Sequence, residues 1–398
     1  MKPESGSAGE VFGAFFKLGM TSFGGPIAHV GYLRQEFVEH RCWLTEIHFA
    51  QLLAICQLLP GPASSQLGFA IGLLRGGVRG AVAAFLAFTL PSAALMLGFA
   101  ASTPFLGDAF GESVVHGLKL VAVAVVGYGL FGMVRQLTPD ASRILIASIA
   151  LVLVLMTRSA WMQMVAILLG GVFGVWLRRN VPALLPEIPD FRLGRRTAAV
   201  SFALFLAALG LSISLAPSIT PTASGLASTF YKAGALVFGG GHVVLPLLQN
   251  GLVDTGWLSR DVFLAGYGAA QAVPGPMFSV AAFFGAEASL EMPAVIGATI
   301  ALLALFLPGF LLLLSVLPVW ARIVQHPLAA RVIAGVNAAV VGVLAAAFYD
   351  PVWTEAIGGV LDGIVAMVGF LLLAVARVSS LWVVLWCVAA SVTAHLLG

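Results

Sequence analysis

Charge is what this sequence has least of. Its 398 residues include only 20 lysines and arginines and 17 aspartates and glutamates. That makes 9% charged, against roughly a quarter in an ordinary soluble domain. With 60% hydrophobic residues and a mean hydropathy of +1.03, a water-soluble globule is excluded. No charged or low-complexity stretch is long enough to form a soluble domain, and the net charge of +3 gathers into no nucleic-acid-binding patch. Cysteine is equally scarce. Cys42, Cys56 and Cys387 show no CxxC spacing, which argues against a disulfide framework, a thiolate metal site or a redox pair, and they read as small hydrophobes. The first apolar stretch begins near Val11 behind Lys2, Glu4 and Glu10 with no A-x-A site after it, so no signal peptide is expected.

What is present is a series of apolar segments. Continuous spans fall at about 78–103, 114–134, 144–157, 160–177, 197–217, 294–317, 332–349, 357–376 and 379–397, giving nine crossings of an all-α polytopic membrane protein. Four further apolar segments, 11–33, 47–74, 229–248 and 263–288, are interrupted by Gly24-Gly25-Pro26, Pro60-Gly61-Pro62, Gly239-Gly240-Gly241 and Pro274-Gly275-Pro276.

These breaks form two pairs. Phe16-Lys17, Gly19 and Phe23-Gly24-Gly25 recur as Tyr231-Lys232, Gly234 and Phe238-Gly239-Gly240, at an offset of 215. Trp43-Leu44, Phe49, Gln57, Pro60-Gly61-Pro62, Ser65 and Phe69 recur as Trp257-Leu258, Phe263, Gln271, Pro274-Gly275-Pro276, Ser279 and Phe283, at an offset of 214. Leu90-Pro91 matches Leu307-Pro308. The chain therefore divides into a first repeat (1–177), a basic linker (178–196), an unpaired crossing (197–217) and a second repeat (218–398).

The turns carry opposite charge in the two repeats. Arg75 and Arg79, then Asp108 and Glu112, then Arg135 and Arg143 with Asp140, are answered by Glu287 and Glu291, then Arg322 and Arg331, then Asp350 and Glu355. Basic turns stay in the cytoplasm, so the repeats are expected in opposite orientations, with the odd crossing flipping the second. An inverted-topology repeat with broken helices is the pattern of secondary transporters, whose site lies near the midplane.

Backbone interruptions at membrane depth are tolerated where they line a cavity or pack in protein. Each restarted helix there points free N–H groups and its positive dipole end at the break, which suits an anion. Thr21, Ser22, Ser64, Ser65 and Ser279 would add hydroxyls, Gln57 and Gln271 amides, and Gly24, Gly25, Gly61, Gly239, Gly240 and Gly275 close backbone approach. Lys17 and Lys232, at equivalent positions, are expected to attract an anionic substrate; the plainer alternative is that each snorkels to an interface or pairs with a nearby carbonyl. The amphipathic stretch 34–48 reads as an interfacial helix or, more sharply, as a vestibule with Arg34 and Glu36, joined by His29 and His242.

Other signals carry less. Gly127-Tyr128-Gly129-Leu130-Phe131-Gly132 fits GxGxxG but lies inside an apolar span with no preceding strand, so helix packing explains it better. Gly68/Gly72 and Gly170/Gly174 have GxxxG spacing, suited to internal packing or to a homodimer. The histidines show no ligand spacing, no nucleophile and base pair stands out, and neither a cofactor nor an enzyme activity is expected.

The run Thr21-Ser22-Phe23-Gly24-Gly25-Pro26, Trp43-Leu44-Thr45-Glu46 and Leu59-Pro60-Gly61-Pro62-Ala63-Ser64-Ser65-Gln66-Leu67, with Phe238-Gly239-Gly240-Gly241-His242 and Gln271-Ala272-Val273-Pro274-Gly275-Pro276, resembles the chromate ion transporter (CHR) family in its long two-domain form, over essentially the whole chain. The resemblance implies an inner-membrane secondary transporter that exports chromate, with sulfate as the competing dianion, and that confers chromate resistance. Two departures stand out: Cys42 precedes Trp43, and Leu236-Val237 replace the Thr-Ser pair of the first half. The first half therefore carries more weight in the expected site. A sulfate or general oxyanion permease and an anion channel are the alternatives.

Overall fold

Glycine and proline decide where the helices stop. The computed structural model describes residues 6–23, 25–103, 109–157, 160–176, 191, 193–215, 221–237, 244–288, 292–320 and 327–397, and every regular element among them is helical. Helix α1 (Ala8–Thr21) ends at Ser22, whose backbone is extended. α2 (Gly25–Arg34) runs into a π-helical segment, Gln35–His40. Phe15 stacks on Phe37 with ring centroids 4.7 Å apart; a straight continuation would hold them roughly 30 Å apart, so α2 folds back along α1.

α3 (Glu46–Leu58) starts at Thr45, whose hydroxyl accepts the His48 N–H, and stops at Leu59. Past Pro60–Pro62 begins the helical run α4 (Ala63–Ser102), which is two helices and not one. Gly76 (φ −128°, ψ 18°) and Gly77 (φ 61°, ψ −155°) reverse the chain, and the positive φ at Gly77 suits a residue without Cβ. The arms 63–75 and 78–102 pack so closely that a Cβ on Gly72 would lie 2.7 Å from the Ala84 Cβ. The Arg75 guanidinium sits 5.0 Å from the ring of Trp43, which precedes α3, so α3 and the first arm form a second hairpin. α5 (Ala109–Leu137), α6 (Ala141–Thr157), α7 (Ala160–Val175) and the odd helix α8 (Arg195–Ser214) follow.

The second half repeats this plan. α9 (Ala223–Leu236) ends at extended Val237, and α10 (Val244–Leu252) folds back so that Gly251 meets the Thr229 side chain. α11 (Arg260–Ala270) and α12 (Val280–Glu287), the latter preceded by a 3-10 turn Met277–Ser279, form a hairpin in which Phe263 stacks on Phe284 at 4.7 Å. α12 then packs against α13 (Ala294–Val316), where a Cβ on Gly285 would lie 2.6 Å from the Ala301 Cβ, the counterpart of Gly72 on Ala84. α14 (Pro327–Ala347), α15 (Val360–Ala374) and α16 (Ser380–Leu397) complete the chain.

The second arm of α4 fixes the relative direction of the halves. Its start, beside Arg75, marks the open end of the first-half hairpins, while Thr103 at its far end, roughly 36 Å away, donates to Glu287 Oε1 at the open end of α11–α12 (2.7 Å). The hairpins of the two halves thus enter from opposite ends and meet tip to tip midway along the crossing helices. Among the described residues, the helices on either side of each interruption pack as hairpins. The halves also interlock. α5 packs on α15 and α16 of the other half, where a Cβ on Gly117 would lie 2.6 Å from the Val388 Cα, and α14 packs on α6 and α7. Both GxxxG pairs are consumed internally: Gly170 and Gly174 against Gly335, Gly68 against Phe15, and Gly72 against Gly80 and Ala84. Gly127 packs on Phe348 and Phe370, as helix packing requires.

Among the described residues, five helical runs are long and apolar enough to cross a membrane: Ala63–Ser102, Gly111–Arg135, Arg195–Ser214, Ala294–Val319 and Arg331–Ala356. The first contributes its second arm. The other four expected crossings are α6, α7, α15 and α16, with 17, 16, 15 and 18 residues. At 1.5 Å per residue they reach about 22–27 Å, just short of a ~30 Å hydrocarbon core.

Candidate functional site

The four tips are joined by two reciprocal backbone hydrogen bonds. Gly61 N–H donates to Val237 O (2.7 Å), and Gly275 N–H donates to Ser22 O (2.9 Å). Each bond runs from the Pro-Gly-Pro tip of one half to the residue that ends the opening helix of the other, so the internal repeat is written into its own closure. Gly61 has φ +125° and Gly275 φ +91°, where a side chain is strained. Pro91 and Pro308 stand in the crossing helices at this level and withhold their N–H groups from the helix ladder.

Two helix N-termini open at the tips without side-chain caps: α4 after Pro62, and the 3-10 turn leading into α12 after Pro276. Ser65 and Ser279 lie within those first turns and Ser22 lies across from them. All three are buried, and their Oγ atoms have no partner among the described residues; the same is true of Thr89 Oγ1 on α4. Free N–H groups at a helix start together with unpartnered hydroxyls form a donor set for an anion. Leaving such groups buried without partners carries a cost that a ligand would offset.

The expected site residues separate into two groups. Gly275 meets Ser22 at one cross-half contact and Gly61 meets Val237 at the other, Ser65 and Ser279 are buried in the first turns behind the two Pro-Gly-Pro tips, Ser64 is buried one position before Ser65, and Gly25 opens α2. Gly24, Gly239, Gly240 and His242 lie outside the described residues.

The rest sit elsewhere. α1 buries Val11, Ala14, Phe15, Leu18 and Gly19, which turns Lys17 and Thr21 to its opposite face. Lys17, with 64% of its side chain exposed, pairs with Glu36 (3.5 Å), and Thr21 Oγ1 donates back to Lys17 O (2.8 Å). Lys17 is therefore a partner of the interfacial segment and not a tip residue. Its counterpart Lys232 is half-buried and has no ion pair among the described residues. At the repeat offset of 215 the partner of Lys17, Glu36, is replaced by Gly251, and α8 packs on α9, with Tyr231 OH donating to Phe205 O (3.2 Å) and Ser228 to Ser212 O (2.8 Å). Gln57 is exposed, and Gln271 turns back toward Tyr267 O. His29 is buried, and its Nε2 donates to Ser22 O (3.2 Å), the same carbonyl that receives Gly275. Lys119 pairs with Asp261 at the start of α11.

Arg34 and Glu36 do lie at the mouth of the first-half hairpins. Arg34 bonds Glu46 (2.8 Å) and Glu39, while Glu36, 7% exposed, takes Arg41 (2.7 Å) and Lys17. Burial works against the Glu36 carboxylate, but the Arg41 hydrogen bond and the Lys17 and Arg41 charges outweigh it and hold the group below its ordinary value of 4.5. A depressed carboxylate stabilises the fold above the unfolded value and loses that contribution as pH falls through the folded one. The melting temperature should therefore drop below about pH 4.5, and Glu36→Gln should flatten that part of the curve. Equal slopes for both proteins would refute the assignment.

Sequence reasoning did not single out Gln66, Thr89, Ser92 or Gly309, all of which stand at the tips. The matching Leu-Pro pairs were the available signal, because a proline in each crossing helix marks the depth at which the tips arrive.

The chromate transporter family model matches residues 9–175 and 224–392. A probable chromate transport protein of Synechococcus elongatus is 30% identical over 335 residues, covering 84% of this chain and 81% of that protein. The chromate transport protein of Cupriavidus metallidurans is 29% identical over 338 residues (84% and 80%), and that of Pseudomonas aeruginosa 28% over 355 residues (86% and 80%). No solved structure matches the chain.

Proposed function

This chain belongs to the chromate transporter family, and from that premise we propose that it carries chromate out of the cell across the cytoplasmic membrane by alternating access, conferring chromate resistance. The observation that supports this reading is a pair of uncapped helix N-termini, each at a tip hydrogen-bonded to the other half, with the buried, unpartnered hydroxyls of Ser22, Ser65 and Ser279 beside those tips. In this reading a tetrahedral dianion takes hydroxyl and backbone N–H donors from both halves. The first-half hairpins, rich in arginine at their open end, face the cytoplasm. Parting one cross-half bond at a time would open the site to one side and then the other. Export of a dianion from a negative interior is helped by the membrane potential, worth about 2.3 kcal/mol per charge per 100 mV.

Chromate accumulation in cells with and without the protein, with and without a protonophore, tests this. Lower accumulation in the expressing cells is expected, while equal or greater accumulation would defeat the export reading. One observation favours a broader second reading. Hydroxyl and backbone donors recognise the tetrahedral shape and charge that chromate shares with sulfate, so a general oxyanion permease fits the same site. Vesicle flux with sulfate and molybdate separates the two.

A further inference from the structure

We propose that Gln66 is a positioning residue, an amide latch that ties the Pro60–Pro62 tip to the crossing helix of the other half and makes the two Pro-Gly-Pro tips open unequally. Gln66 is fully buried, with 0% exposure. Its Nε2 donates to Pro60 O (3.0 Å) within its own tip and to Gly309 O (3.0 Å) on α13. Its Oε1 has no partner among the described residues, so the side chain holds through its two N–H groups alone. The fit is close: a Cβ on Gly61 would lie 2.8 Å from Gln66 Nε2 and 2.9 Å from the Gly309 Cα.

Among the described residues the opposite tip has no such tie. At the repeat offset Gln66 corresponds to Val280, which has no polar side chain, and Gly309 corresponds to Ser92, whose hydroxyl donates to Thr89 O within its own helix (3.0 Å). The Gly275 tip is thus held to the first half by its backbone bond to Ser22, whereas the Gly61 tip has its backbone bond to Val237 and the bridging amide as well. If transport requires each tip to part from the other half, the Gly61 tip parts more slowly. The inference rests on the proposed alternating access, but the latch itself is measurable without transport.

Leu59 and Val273 occupy equivalent, half-buried positions beside the two tips and serve as reporters. In a Cys42→Ser background, where Cys56 and Cys387 are buried, Leu59→Cys and Val273→Cys are labelled with a membrane-permeant maleimide. Gln66→Met keeps the side-chain length and removes both donors. It should speed labelling at Leu59→Cys about tenfold, the equivalent of losing ~1.4 kcal/mol of buried hydrogen bonding, and leave Val273→Cys within about twofold. Unchanged labelling at Leu59→Cys, or equal acceleration at both positions, would overturn the latch. Should Gln66→Met not yield a monodisperse protein, Gln66→Leu, which also cannot donate to the two carbonyls, is held to the same outcomes. In vesicles the variant should change the maximal chromate flux with half-saturation unmoved. A shift in half-saturation of the same size would make Gln66 a ligand and contradict a positioning role. Altered labelling without transport of chromate would fault the functional reading and leave the latch standing.

Discussion

Gly275→Val is expected to abolish chromate transport, and Gly61→Val to do the same. At Gly275 a Cβ would meet Phe88 O and Ser92 Oγ at 3.0 Å and Gly19 O at 3.2 Å, on a backbone with φ +91°. Two of those three atoms are main chain and cannot rotate aside. Left-handed strain costs about 1–3 kcal/mol and overpacking a similar amount. The residue would therefore leave its place, and the N–H donated to Ser22 O would leave with it. Transport should fall by at least roughly two decades, the equivalent of ~2.7 kcal/mol, while a fluorescent fusion still reports protein in the membrane. Gly77→Ala is the control, because φ is +61° there but the space around it is open. It should lower the melting temperature a little and keep transport. Wild-type flux in Gly275→Val would mean that the tips need not meet as described.

The second large effect is expected from Ser65→Ala combined with Ser279→Ala. A hydrogen bond to a charged group is worth about 1.5–3 kcal/mol, so each single change should cut the transport rate at low chromate roughly tenfold to a hundredfold, and the pair more than either alone. Stability should move the other way or not at all. Both hydroxyls lack partners among the described residues, so removing them breaks no intramolecular bond and spares two buried polar groups. Falling flux with an unchanged or raised melting temperature is the signature of a ligand-directed group. Falling flux with a falling melting temperature would assign the serines a structural role.

Much of the architecture was legible in the residues. The duplicated Pro-Gly-Pro breaks located the Gly61 and Gly275 tips, and the reversal of turn charge gave the inversion that Thr103 and Glu287 display at the far end of α4. Whether a broken segment crosses or re-enters was not legible, since a hairpin and a kinked crossing share one hydropathy profile; the contact of Phe15 with Phe37 and the Gly76–Gly77 reversal decide it. The surroundings of the lysines were not legible for a related reason. Lys17 and Lys232 match in sequence, but helical phase turns Lys17 outward to Glu36, and the second half has Gly251 where the first has Glu36. Pairing of repeats tells which residues are equivalent without telling which neighbour each one meets. Gln66 was missed because its role depends on Gly309, a contact across 243 positions.

Chromate binding to the purified protein tests the central claim most directly. Equilibrium binding of labelled chromate, competed by sulfate, is compared between the wild type and the Ser22→Ala, Ser65→Ala, Ser279→Ala triple variant at matched melting temperature. Saturable binding by the wild type and its loss, by at least about a hundredfold, in the triple variant is the result expected if the oxyanion sits among the four hairpin tips. Wild-type affinity in the triple variant would place the substrate elsewhere and contradict the account.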